Sequence, residues 1–530
     1  MRPPLRWVHR LRGPGAVTSN MSATLRNTDT ARMTLLEVGH APTEMVLTRL
    51  CGDVAKVTYN LRLNGDIVTD SQLGAHDQSL RRSLEAILGG EVTDAAWTQA
   101  TVGVRQGGLG LREARGIALS AFLASRIASR PHVQELAQHM QDVGLAPVAV
   151  VMRAFDQRTD DALTQLVGEL DSEIGTALVD QLTDLASTAQ LQWDALFDES
   201  ASQPSEASAR RLRRPGAAAG LVPNDEDGDD EHPDAGTPTT AMHIQKVIYA
   251  AVDSRRSAEL LQALREEGDV SSLRRLEELN HAETDHSWLW ALSKHRGPVL
   301  RPDQYVEAVR VRLGIAGPSE PVPCHLCGVA MLDTAGAHAH CCSRAESTRG
   351  HNCVARFVFD IAAQCDPSTE LEAAGLIPGT RLRPADVLTG ALGSGLKALD
   401  VGIASPDAAN AGDDCTVSMY ARKVETYAPY AAILDQQNIT YQPVVWSAYG
   451  RPHPQTTVVL RTLATRLARR RGCSDAEWRY KRLRAAVGVE IWRRAAKMVQ
   501  SCWPGGGESD GEPGCYEPPG SAAGRPLARR

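Results

Sequence analysis

Residues 324–342 read Cys-His-Leu-Cys-Gly-Val-Ala-Met-Leu-Asp-Thr-Ala-Gly-Ala-His-Ala-His-Cys-Cys. Cys324 and Cys327 form a C-x2-C turn, followed by the Gly328 that a tight thiolate turn favours. His338 and Cys342 supply a second pair at H-x3-C spacing. Four soft or borderline ligands in two close pairs suit tetrahedral zinc with no open position, a structural rather than a catalytic arrangement. Holding a small loop by metal is worth several kcal/mol, on the order of ~10 in the most metal-dependent cases. His340 and Cys341 lie between the outer candidates and are alternatives to His338 and Cys342. The competing reading is a buried Cys/His cluster without metal.

Downstream, Arg383-Pro384-Ala385-Asp386 reads as a turn, and Leu399-Asp400-Val401-Gly402-Ile403 as a short buried strand. An acid inside an apolar strand is costly unless it is paired or metal-bound, so Asp400 is the more informative carboxylate. Phosphodiester hydrolysis needs an activated water and stabilisation of the charge on phosphate and leaving oxygen. Carboxylates holding Mg²⁺ can serve both. Asp386 and Asp400 are the candidate magnesium ligands. Lys423, on the helix expected over 418–436, would orient water or neutralise charge. Glu372, on or just after the preceding helix, would complete the metal shell. Taken singly, Asp386 reads as a helix cap, Lys423 as half of a surface ion pair, and Glu372 as a solvated carboxylate.

The remaining chain is a scaffold around this stretch. It has 530 residues, enough for two to four domains. No apolar run is long enough to span a membrane. Eleven cysteines are too sparse for a disulfide framework, and their clustering with histidine favours a reducing compartment and metal. The net charge of −7 hides a strongly basic region between Arg461 and Lys497. Within it, Arg461, Arg466, Arg469, Arg470, Arg471, Arg479, Lys481 and Arg482 are candidate phosphate contacts. A solvated helix face is the alternative reading.

Apolar residues at threes and fours predict helix over 32–63 and 77–88, stopped by Gly89-Gly90. Arg105-Gln106-Gly107-Gly108-Leu109-Gly110-Leu111-Arg112 matches neither phosphate-binding glycine pattern and reads as a turn before the helix expected over 113–129. Helix continues to about 197 and again over 241–315, where Trp288, Trp290, Tyr305, Val309 and Leu313 are candidate core. Thr440 to Trp446 predicts a second strand, with Pro443 placing it near an edge or bulge. Basic helices follow over 455–500. The first 28 residues carry five arginines and no acid. They read as a disordered arm, with a transit peptide as the alternative.

The stretch 324–446 resembles the carboxy-terminal half of non-LTR retrotransposon proteins that carry a restriction-like endonuclease. Cys324, Cys327, His338 and Cys342 match that family's CCHC element. His351-Asn352 matches its basic-His-Asn/Asp motif, with Gly350 in place of the basic residue and Arg349 one position earlier. Arg383-Pro384-Ala385-Asp386 resembles the RPD element with Ala385 inserted. Asp400 stands at the expected separation. Gly402 occupies the place of the usual nuclease lysine, and Lys423 in Lys-Val-Glu-Thr-Tyr427 matches a migrated lysine-tyrosine pattern. The resemblance implies a PD-(D/E)XK nuclease fold that nicks DNA to prime reverse transcription, with structural Zn²⁺ and catalytic Mg²⁺. It also implies a nuclear location and contacts to DNA or element RNA through His351, Asn352 and Arg383. The helical part before 315 is similar, more loosely, to the thumb and connector of such proteins. No aromatic-Ala-Asp-Asp polymerase motif occurs, so the palm is missing and a polymerase-bearing chain is an implied partner.

The expected architecture is a multidomain α+β chain. It comprises a basic arm (1–30), a helical thumb-like region (31–198), an acidic linker (199–240), a helical connector (241–320), a zinc knuckle (321–345), an α/β nuclease domain (346–500) and a disordered tail (501–530). The competing class is a catalytically dead nucleic-acid-binding module, for which the displaced Arg349 and the inserted Ala385 are the reasons.

Overall fold

The computed structural model describes residues 14–197, 241–295, 297–318, 320–342, 347–393, 395–472 and 475–503. Helices dominate, with a small mixed sheet. The acidic linker expected over 199–240 lies outside the described residues, as does the tail beyond 503. By internal contacts the chain divides into two compact units, each assembled from separated stretches: 1–25, 55–75 and 113–255 in the first, 26–54, 76–112 and 256–530 in the second.

The first unit is helical. The helices Ala114–Asp142, Val148–Gly168 and Ser172–Phe197, with the start of the helix from Ala241, bury Phe122, Leu123, Leu166, Leu178, Leu182, Ile244 and Ile248 together. Close approach needs a residue without a side chain at Gly65, where a Cβ would stand 2.2 Å from the Ala118 carbonyl oxygen. The expected disordered arm requires correction from Pro14 onward, because a helix spans Pro14–Leu35. Met21 is buried on it, and Gln72 donates to Thr18 O at 2.9 Å and Ser22 Oγ at 3.0 Å. Residues 1–13 lie outside the described residues.

The second unit has two main cores. One gathers Leu80, Leu84, Trp97, Leu111, Trp288, Tyr305 and Val309 around Trp492, with Cys324, Leu332, Ala339 and Cys342 at its margin. Trp288 and Trp492 stack at 4.5 Å between centroids. The other lies against a four-stranded sheet. The strands are β1 (Val322–Pro323), β2 (Met331–Leu332), β3 (Glu370–Leu371), β4 (Val387–Thr389), β5 (Leu396–Ala404) and β6 (Ile439–Ser447). β1 and β2 form a separate hairpin, and the larger sheet has the order β3-β4-β5-β6. β3/β4 and β4/β5 are antiparallel, and β5/β6 is parallel. A parallel pair needs a crossover, supplied here by the helices Cys415–Tyr427 and Ala431–Gln436.

Period-two alternation divides β5. Leu399 and Val401 point into a core with Val354, Val358, Val444, Trp446, Leu460 and Leu463. Ala398, Asp400 and Gly402 share the opposite face. The Ala476–Cys502 helix serves both cores, giving Tyr480, Val487 and Ile491 to one and Val489, Trp492, Val499 and Cys502 to the other. Pro443 lies on β6, an edge strand, where a missing N–H costs least.

Candidate functional site

The cysteine-histidine set is built by short elements. The β1–β2 hairpin closes on itself through Cys324 N to Ala330 O at 2.8 Å. Gly328 takes the left-handed φ of +66° that lets the chain turn back after Cys327, and its N–H reaches Cys324 O at 2.8 Å. The helix Ala337–Cys341 carries His338, and Cys342 closes it. Four residues apart, these two share a face.

One ligand atom from each of Cys324, Cys327, His338 and Cys342 lies within 4.8 Å of all the others, and this group could hold a metal ion. Cys324 Sγ is 3.9 Å from Cys342 Sγ, and Cys327 Sγ is 3.4 Å from His338 Nε2. A disulfide would need about 2.05 Å. A tetrahedron with zinc–sulfur bonds of about 2.3 Å has edges of roughly 3.7 Å. The residues therefore fit zinc. Backbone N–H groups of Ala330 and Val329, assisted by Cys324 and His338, push the Cys327 thiol down to about 6, toward the thiolate that a metal requires.

The alternatives His340 and Cys341 are not in the group. His340 is buried against Tyr449, its ring nitrogens without hydrogen-bond partners, and burial lowers its pKa to about 3. Burial raises the Cys341 thiol, which faces Ser405.

The carboxylate site forms where β4 enters the sheet. Asp386 immediately precedes β4, and its N–H donates to Leu399 O at 2.9 Å. Its Oδ2 accepts from Val401 N at 2.8 Å and lies 3.2 Å from His351 Nε2. Burial opposes its charge, but His351, the Val401 amide and Lys423 together hold Asp386 below the usual carboxylate range. For His351, burial opposes protonation, yet Asp386 outweighs it and the pKa is raised.

Asp400 sits two residues before Gly402 on the face turned to the Cys415–Tyr427 helix. Its Oδ1 accepts from Lys423 Nζ at 2.6 Å, and its Oδ2 accepts from the Tyr441 hydroxyl. Burial raises its pKa against those two partners, with the Asp386 charge adding to the rise. Gly402 makes this possible. A Cβ there would stand 2.7 Å from Lys423 Cε and 2.7 Å from Met419 Sδ. Lys423 thus reaches Asp400 from the helix, across a strand position that has no side chain. Tyr427 packs against Tyr441 with the rings tilted by 44° and centroids 4.6 Å apart, and it donates to Arg383 O at 3.1 Å.

Glu372 requires correction. It follows β3 rather than a helix, with a φ of +52°, and its half-exposed carboxylate meets Arg383 Nη1 at 3.4 Å. Among the described residues the cysteine-histidine set is the one group of three or more such ligands, so Glu372, Asp386 and Asp400 do not form a shared cage.

The basic candidates divide. Arg461 pairs with Glu477, Arg466 donates to Gly390 O at 3.2 Å, and Arg470 donates to Gln364 O at 2.7 Å with Arg471 on Gln364 Oε1. These fasten helices to the domain. Arg469, Lys481 and Arg482 are exposed, as is Asn352 beside His351. The glycine-rich turn is internal. Its Val104 and Gly108 carbonyls accept from buried Arg312 at 2.8 and 2.9 Å, and φ is +80° at Gly107.

Two positions of the candidate site escaped the sequence reading: Tyr441 and the steric role of Gly402. Alternation along β6 places Tyr441 on the face of Pro443, which pairs with Asp400, so the strand register was the signal. Comparison with protein-family models finds none that matches this chain, and no curated protein matches it.

Proposed function

We propose that this chain is a DNA endonuclease of the kind borne by non-LTR retrotransposon proteins, with a structural zinc at Cys324, Cys327, His338 and Cys342. Asp386, Asp400 and Lys423 would carry out phosphodiester hydrolysis. The observation that supports this best is the meeting of Lys423 and Asp400 across Gly402, beside Asp386. Two carboxylates suffice for magnesium, which keeps several waters and takes its remaining ligands from phosphate. Bound by Asp386 and Asp400, Mg²⁺ would supply Lewis acidity toward the phosphate and lower the pKa of a water.

The chain's own residues have distinct tasks. Tyr441 fixes one oxygen of Asp400, leaving the other to Lys423. The Lys423 ammonium balances that charge and can turn toward phosphate or water. His351 and the Val401 amide both engage Asp386 Oδ2, which orients the carboxylate.

The alternative is a nucleic-acid-binding module without catalysis. It is favoured by one observation: Glu372 is committed to Arg383 instead of joining the two aspartates. Nicking of supercoiled plasmid with Mg²⁺ or Mn²⁺, by wild type and by Asp400→Asn at equal zinc content, decides between them. Nicking by the wild type that the variant loses supports the endonuclease. No nicking by either, with DNA binding intact, leaves the binding module.

A further inference from the structure

We propose that Trp478, with Arg479, Lys481 and Arg482, is a stacking platform for the unpaired bases of single-stranded nucleic acid. The inference rests on the nucleic-acid reading above and specifies the form of the ligand. Trp478 is 43% exposed, while Trp97, Trp288, Trp446 and Trp492 are buried. It lies in the first turn of the Ala476–Cys502 helix, where Asp475 caps its amide at 2.7 Å. That capping bond uses the backbone of Trp478, so the fold does not require an indole there.

Two guanidinium carbons lie over its ring, Arg479 at 4.9 Å and Arg482 at 4.8 Å from the centroid. Arg479 Nε is buried without a hydrogen-bond partner. Helical spacing puts Trp478, Lys481 and Arg482 on one face, and both Lys481 and Arg482 are exposed. Arg469 is exposed at the same end of the helical hairpin. The neighbouring acids are committed, Glu477 to Arg461 and Asp475 to the cap. Residues 461–497 hold twelve basic and three acidic side chains, so the surroundings of the indole are complementary to phosphate.

An aromatic face beside cations grips a base and its backbone together. In a duplex the base faces are already stacked on each other. The indole should therefore favour single strands, while the cations serve both forms.

The test is fluorescence anisotropy of labelled 20-nucleotide single-stranded DNA, single-stranded RNA and duplex DNA. Zinc-loaded protein is used without added magnesium or manganese, so no cleavage is needed. Trp478→Ala should weaken single-strand binding about tenfold, leave duplex binding within about twofold and keep the salt slope. Trp478→Phe should restore most of the affinity. Arg479→Gln with Arg482→Gln should weaken all three ligands and lower the salt slope by about two. Equal single-strand affinity for wild type and Trp478→Ala overturns the platform, as does an equal loss on single strand and duplex. Zinc content and circular dichroism of each variant check the fold. Plasmid nicking without single-strand preference sinks the platform alone. Single-strand preference without nicking sinks the nuclease alone.

Discussion

The cysteine-histidine cage and the Asp386/Asp400 site are both ligand clusters in the second unit, but they balance their charge in opposite ways. In the cage, four donors converge on one another, and two sulfurs stand 3.9 Å apart without a bond. An external ion would balance thiolates gathered there. At the carboxylates the chain provides its own counterions: Lys423 for Asp400, with Tyr441 on its second oxygen, and His351 for Asp386, with the Val401 amide on the same oxygen as His351. A cluster of thiolates left unbalanced would depend on metal for its fold. A balanced one can fold without it. The first arrangement suits a permanent structural ion. The second suits an ion that arrives with substrate.

The contrast is broken most severely at the cage. Cys324→Ser or Cys342→Ser should abolish zinc stoichiometry measured by elemental mass spectrometry and lower stability by at least about 3 kcal/mol. Zinc retained by either variant would remove the ligand assignment. At the carboxylates the expected loss is one of rate. Asp400→Asn should reduce magnesium-dependent nicking by about 100-fold or more with zinc content unchanged.

Gly402→Ala probes the joint between strand and helix. The added methyl must displace Lys423 or Met419, so we expect a stability cost of about 1–3 kcal/mol and nicking reduced roughly tenfold. An unaffected Gly402→Ala protein would show that Lys423 need not cross the strand there.

The Asp386–His351 pair predicts a smaller, pH-dependent effect. The folded pKa of His351 is raised, so its contribution is full below the unfolded value near ~6.5 and fades as pH rises through the folded value. The folded pKa of Asp386 is lowered, so its contribution is full above about 3.9 and fades as pH falls through the folded value. The pair therefore stabilises most at mildly acidic pH, by about 1 kcal/mol. Melting temperature of wild type against His351→Gln from pH 4 to 9 should show the difference narrowing toward pH 9. A difference constant across that range would discount the pair. The smallest effect belongs to Glu372→Ala, which should leave nicking within about threefold, because its carboxylate faces Arg383. A hundredfold loss would return Glu372 to the metal shell.

Much of this was legible in the sequence because chelation and strand burial leave local marks. C-x2-C followed by glycine and H-x3-C announced the cage, and an acid flanked by Leu399 and Val401 announced a buried strand. Choosing Cys342 over Cys341 needed the helix Ala337–Cys341, whose five residues are too few to show periodicity. β3 and β4 have two and three residues, too short for alternation to register, so Glu372 read as on or just after the preceding helix. The meeting of Lys423 and Asp400 spans 23 positions and depends on β6 pairing parallel to β5, which no local pattern encodes. The basic residues looked alike in sequence. Only packing separates half-buried Arg466, which bonds a backbone carbonyl, from exposed Arg469 and Lys481.

The most direct test of the contrast is Mn²⁺ binding followed by electron paramagnetic resonance, on zinc-loaded protein with a DNA duplex. One Mn²⁺ equivalent is expected, lost in both Asp386→Asn and Asp400→Asn while zinc stays in place. Mn²⁺ binding that survives both substitutions, or none at all with DNA bound, would contradict it.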